Sequence, residues 1–282
     1  MKLVGFVSAF FAVAVLCVSV PVFHTSAVTR EASAFAYHAL KLPTIEYVAT
    51  PTDGGIREDI PKKYLERYEK WKTELLSTEY GRTQWETYAN NKSFVLTIKI
   101  DSDKEKGAGT DKFQWDDKGN FVGATITLGN EIDDGYPNPI YYPVLNSLSA
   151  ETTAYAISGK ILAASKMSHE LGHVSQTAKA NAAMIEKQSK LIPEYTSIFL
   201  KNGHNTKDQK LVELAEELGG TPIEIWESRE YWSEVTAMQF LNERIKDEPF
   251  YCYVFNRIRN NVQTYAREYE SRFEPAAAAP CK

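Results

Sequence analysis

The chain has 282 residues, a formal net charge of −5, 43% hydrophobic and 24% charged side chains, a composition ordinary for a globular protein and enough for one or two domains with a sizeable core. It is acidic and has no basic run interleaved with aromatics, so it lacks the electrostatic footprint of a nucleic-acid binder. Nucleic acid is therefore excluded as a partner class.

At the start, Lys2 precedes an apolar run from Leu3 to Val22, and Thr25-Ser26-Ala27 supplies small residues before Val28. That is the three-part pattern of a secretory signal peptide over residues 1–27. An uncleaved membrane anchor is the alternative, because the run approaches bilayer-spanning length; Pro21 and the small-residue site argue against a continuing helix. Leu16 is too bulky to precede a lipid-modified Cys17. The expected location is secreted or periplasmic, with no stable membrane span after cleavage, and losing Lys2 takes the net charge from −5 to −6. Two cysteines then survive, Cys252 and Cys281, and an exported chain with an even pair favours a disulfide between them.

Residues 28–58 read as irregular, with a turn-prone Thr50–Gly55 stretch, and are a propeptide candidate. From Asp59 a helix is expected, with Asp59 as cap, Pro61 in the first turn, and Tyr64, Leu65, Tyr68, Trp71, Leu75 and Leu76 on one face. Residues 93–101 alternate Phe94, Leu96, Ile98 and Ile100 with more polar neighbours, which is a strand pattern. A Gly/Asp/Lys loop follows, then a turn at Asp116–Asn120 and a second strand, Phe121–Gly129. The three prolines near Tyr136–Val144 forbid regular structure there. Beyond Ser149 the periodicity is helical. One helical region reaches to just before Pro193. Another opens on a Thr206/Gln209 capping box. A third has Thr221 as N-cap, Pro222 at N1 and Glu224 at N3, and a last helix begins at Phe250. The layout predicts an α+β fold over residues 59–274, a small sheet in the first half and helices in the second, ending in an Ala/Pro-rich tail at 275–282.

The chemistry is concentrated in His169-Glu170-Leu171-Gly172-His173, an HExxH pattern on one of these helices. Histidines four apart project from one helical face and can grip one ion, and imidazole suits Zn²⁺. Glu170, about 100° round the helix, can face a water at the metal without displacing it. With five histidines in 282 residues, a chance match arises on the order of once per hundred such chains. The bland alternative is a solvated face, but Ile161, Leu162, Met167, Leu171 and Val174 make this helix read as buried. A hydrolytic zinc needs a third protein ligand. His204 lies in a turn-like loop. Glu227, Glu230 and Glu234 share a face of the later helix, and Glu234 has the small Ala237 one turn on.

An HExxH helix with a later Glu-x-x-Ala resembles the gluzincin group of zinc metallopeptidases. Over roughly residues 93–245, the resemblance implies a zincin-like fold, zinc held by His169, His173 and Glu234, Glu170 as catalytic base, and a peptide or protein substrate. Glu230 is the next choice as ligand, because Met238 stands where commoner subfamilies have an aspartate. The resemblance also implies an extended substrate along an edge strand, expected to be Phe121–Gly129. Tyr231, Tyr195 and His204 are open candidates for stabilising an oxyanion, and each has a structural alternative. Asp101, Asp103 and Glu105 alternate as in a calcium loop but lack its glycine and closing glutamate. A catalytically silent zinc-binding or interaction domain of the same fold is the alternative reading.

Overall fold

The computed structural model describes residues 45–134, 159–179 and 182–247, apart from the side chains of Ala182 and Glu227. The segments read as a signal peptide (1–27), the Pro-rich stretch Tyr136–Val144, a last helix from Phe250 and the tail, and Cys252 and Cys281, lie outside the described residues. The fold is α+β, built on a five-stranded mixed sheet. In chain order, β1 (Ile45–Tyr47) and β2 (Gly55–Asp59) are followed by a 3-10 turn at Lys62–Tyr64, α1 (Leu65–Leu75) and α2 (Glu79–Ala89). Then come β3 (Val95–Asp101), β4 (Ala108–Trp115) and β5 (Phe121–Gly129). The helices α3 (Gly159–Lys179), α4 (Ala182–Lys201), α5 (Gln209–Leu218) and α6 (Pro222–Ile245) complete it. None of the described helices is long and apolar enough to cross a membrane.

The sheet order is β1-β4-β5-β3-β2. β3 pairs parallel with both β2 and β5, β1 pairs parallel with β4, and β4 alone runs antiparallel to its neighbour β5. Leu96, Ile98 and Ile100 of β3 and Ala124, Ile126 and Leu128 of β5 bury one face against Tyr68, Trp71 and Leu75 of α1 and Ile161, Met167, Leu171 and Val174 of α3. Full burial of each such aliphatic side chain contributes about 1.5–3 kcal/mol. A smaller cluster of Tyr195, Phe199, Leu211 and Leu214 joins α4 to α5. Glu74, 4% exposed, ion-pairs with Arg244 and with Lys160 (2.8 Å), tying α1 to the start of α3 and the end of α6. The β4–β5 turn closes on Asp116, whose carboxylate accepts from Thr50 Oγ1 at 2.7 Å and from the backbone N–H groups of Lys118 and Asn120.

Several expectations are corrected. The segment read as irregular holds β1 and β2; Asp59 ends β2 rather than capping a helix, and Pro61 precedes the 3-10 turn. β2 is an edge strand with a largely exposed Ile-Arg-Glu-Asp run, so it shows no apolar alternation; backbone pairing with β3, the packing of Ile56 on the core and the bonds of Glu58 to Tyr68 and Lys72 hold it. The Gly/Asp/Lys loop contains β4, whose first half carries few apolar residues. Helix α2, capped by the Thr78 hydroxyl accepting from Gly81 N, has weak periodicity and was not foreseen. The long helical region divides into α3 and α4, and α4 continues through Pro193, its aromatic contacts with α5 outweighing a lost backbone bond. Asp208, not Thr206, caps α5. The Thr221 capping box forms as expected.

Candidate metal centre

Helix α3 brings His169 and His173 onto one face because they are four apart, and α6 crosses that face. The crossing is close: a Cβ built on Gly172 would meet Thr236 Oγ1 at 2.6 Å and Ser233 Cα at 3.0 Å. Glycine is needed there because a methyl group would push the two helices apart. Gly172→Ala is expected to destabilise the fold by about 1–3 kcal/mol through overpacking, read as a lower denaturation midpoint; an unchanged midpoint would show that the crossing is loose.

Hydrogen bonds fix the register of the crossing. Ser168, fully buried, donates to Gln84 Oε1 of α2 at 2.7 Å, and its carbonyl accepts from Thr236 Oγ1 at 2.7 Å and Gln84 Nε2 at 3.2 Å. Gln176 Nε2 donates to Ser233 Oγ and to the Arg229 carbonyl, both at 3.0 Å. Both flanks of the HExxH stretch are therefore tied to neighbouring helices.

The consequence is a cluster of His169, His173 and Glu230, with one potential ligand atom from each lying within 4.8 Å of the others. His169 Nε2 lies 3.3 Å from Glu230 Oε2, and His173 Nε2 lies 3.6 Å from Glu230 Oε1. Tetrahedral coordination with bonds of about 2.0–2.1 Å separates ligand atoms by roughly 3.3–3.4 Å, so the two histidine–carboxylate spacings are compatible with one shared metal ion. Glu234 takes a different place. Its Oε1 lies 3.5 Å from His169 Nδ1, on the side of the ring facing away from Glu230. That contact favours the tautomer with hydrogen on Nδ1 and a free lone pair on Nε2, as a carboxylate behind a ligating histidine does. The small residue nearest Gly172 at the crossing is Ser233. The two imidazoles stand edge to face, with centroids 4.9 Å apart, and His173 Nδ1 is buried without a hydrogen-bond partner among the described residues.

The site's electrostatics split the pair. Burial opposes charge on His169, yet hydrogen bonds to Glu230 and Glu234 raise its pKa well above the ordinary value. Burial, aided by the nearby charges of His169 and Arg229, drives His173 well below it. Glu170 is 5% exposed; burial raises its pKa, while the charge of His169 and a 2.7 Å hydrogen bond from Thr110 Oγ1 pull the other way. Thr110 sits on β4, so β4 is the strand that reaches Glu170, while β5 packs on the same HExxH helix through its buried face.

The cluster opens into a cleft of about 540 Å³, lined on one side by Ala108–Lys112 of β4 and on the other by α3, α4 and α6. β1 pairs only with Phe113–Trp115, so the Ala108–Lys112 edge has no outer strand among the described residues. A register shift after Asp111, with Lys112 at φ 51°, bends this edge; bulges of this kind often stand beside functional sites. β5 lies in the middle of the sheet and is not the edge strand. Tyr195 is in the α4–α5 cluster and His204 packs on Phe199, with centroids 4.9 Å apart; neither they nor Tyr231 line the cleft. Asp101 turns its carboxylate to Asp103 N at 3.0 Å, and the Asp101–Glu105 run forms no metal-type cluster among the described residues. A scan against protein-family models and searches of curated proteins and of solved structures find no match to this chain.

Proposed function

We propose that the chain is an exported zinc-dependent peptidase of zincin-like fold. In this reading His169, His173 and Glu230 hold the metal, Glu234 orients His169, and Glu170 is the general base acting on a peptide or protein substrate. The observation that carries it is the convergence of both Nε2 atoms on one Glu230 carboxylate, beside a buried Glu170. The export half rests on the residue 1–27 pattern alone.

A zinc ion held by His169, His173 and Glu230 would supply a Lewis acid for a substrate carbonyl and would lower the pKa of the attacking water. Glu170, held by Thr110, accepts the proton from that water and returns it to the leaving amine. Burial suits it to both tasks, because a raised carboxyl pKa makes the proton easier to keep between the two steps. The zincin-like reading is supported by the antiparallel strand β4 running beside the HExxH helix. Its Ala108–Lys112 edge, which pairs with no outer strand among the described residues, offers backbone groups to which an extended peptide can add as a further strand.

The test is direct. The full chain, purified after expression with zinc, is expected to retain one zinc per molecule, to cleave casein or a mixed peptide pool, and to lose both the metal and turnover in chelator. A protein that is native without metal, and whose thermal stability is the same with and without zinc, would overturn the proposal.

A further inference from the structure

The cleft has a charge pattern that the chain as a whole does not share. Among the described residues Lys99, Lys104, Lys112 and Arg229 line it, against the carboxylates of Asp101, Asp111, Glu170 and Glu230. These cancel, so a divalent cation at the histidines makes the cleft positive within a chain of net charge −5. A positive cleft in an acidic protein concentrates anionic substrate and repels little of it on approach.

Arg229 is the most firmly placed of the four cations. Its backbone carbonyl is held by Gln176, and its guanidinium carbon lies 5.5 Å from the centroid of the buried Phe113 ring. Among the described residues the ring, rather than an ion pair, is what the guanidinium rests on. Burial opposes the guanidinium's charge, while Glu230, whose carboxylate oxygens face the imidazoles, and Asp111 of β4 both favour it. A guanidinium stacked on a ring loses little further freedom on binding, and its planar fork matches a carboxylate with two parallel hydrogen bonds.

We propose that Arg229 forms a carboxylate-binding subsite of the cleft, so that preferred substrates present a carboxylate close to the scissile bond. This rests on the peptidase reading for its consequence but not for the binding itself. The carboxylate belongs either to the peptide's own C-terminus or to an acidic side chain, and the two sources are separable.

The probe is a pool of N-acetylated pentapeptides, prepared as free acids, as C-terminal amides, and with glutamate exchanged for glutamine. Binding is measured by calorimetry to the zinc-loaded Glu170→Gln protein, with and without Arg229→Gln or Arg229→Lys, and cleavage is measured in the Glu170 background. Carboxylate-bearing peptides are expected to bind at least about tenfold more tightly than their neutral counterparts, with Arg229→Gln removing the preference and Arg229→Lys keeping part of it. In cleavage of the carboxylate-bearing peptides the same loss should fall on KM rather than kcat. Loss of preference with the amides assigns the chain end, and loss with glutamine assigns the side chain. Equal binding of charged and neutral peptides by the parent protein overturns the subsite. So does an equal fall in kcat on all peptides in a folded Arg229→Lys variant. Selective binding without any cleavage would instead sink the peptidase reading and leave the subsite standing.

Discussion

Glu170→Gln is expected to lower kcat for peptide cleavage by about 10²–10⁴-fold, the usual contribution of a positioned general base, with zinc content and KM unchanged. The amide has nearly the shape of the carboxyl group and can still accept from Thr110 Oγ1, which lies 2.7 Å from Glu170 Oε2, so packing is preserved while proton acceptance is lost. The wild-type acid limb should lie above the usual glutamate range, because burial raises the Glu170 pKa. The Thr110 hydrogen bond favours the ionised form, so Thr110→Val should move that limb further up. Peptide turnover by Glu170→Gln at the parent rate would remove Glu170 from the reaction and with it the role proposed for the HExxH helix.

The second large effect separates two carboxylates one helical turn apart. Glu230→Gln is expected to lose zinc on dialysis, since it removes one of the three proposed ligands and the group that both Nε2 atoms face. Glu234→Gln should keep the metal but bind it about 10–100-fold more weakly, as changes behind a ligating histidine do. Metal content and a competitive zinc titration on folded samples distinguish the two. If Glu234→Gln emptied the site and Glu230→Gln did not, Glu234 would be the ligand that its x-x-Ala spacing suggests, and the arrangement described above would be wrong.

That four-residue displacement shows where sequence patterns stop. Glu230 and Glu234 lie on the same stripe of α6, and both have a small residue three positions on, Ser233 and Ala237. Choosing between them requires knowing where α6 crosses α3. The crossing point is set by Gly172, by the Ser168–Gln84–Thr236 hydrogen bonds and by Gln176, which involve three different helices. None of these partners is visible in a local window. The oxyanion candidates stayed open for a related reason: Tyr195 and His204 belong to the α4–α5 packing, and chemical type alone does not reveal which cavity a tyrosine or histidine faces. Arg229 had no motif to draw attention to it, and only its position over Phe113 in the cleft does so.

The strands divide in the same way. β3 and β5 were legible because one or both faces are buried and their apolar residues recur accordingly. β2 and the first half of β4 were missed because edge strands with polar side chains are held by backbone hydrogen bonds, which carry no side-chain signature. The misassigned edge followed from this, since without β4 the strand at Phe121–Gly129 is the last one visible before the HExxH helix.

By itself, then, the amino-acid order determined the α+β class, the HExxH helix with its paired imidazoles and adjoining glutamate, and the start of α6 at its Thr221 box. All of these depend on residues a few positions apart, where helical and strand periodicity fix geometry. Which carboxylate completes the cluster, which strand borders the cleft and which cation is held over it were decided only by the tertiary structure. Those depend on where separate elements cross, and crossings are set by packing and hydrogen bonds between residues far apart in the chain.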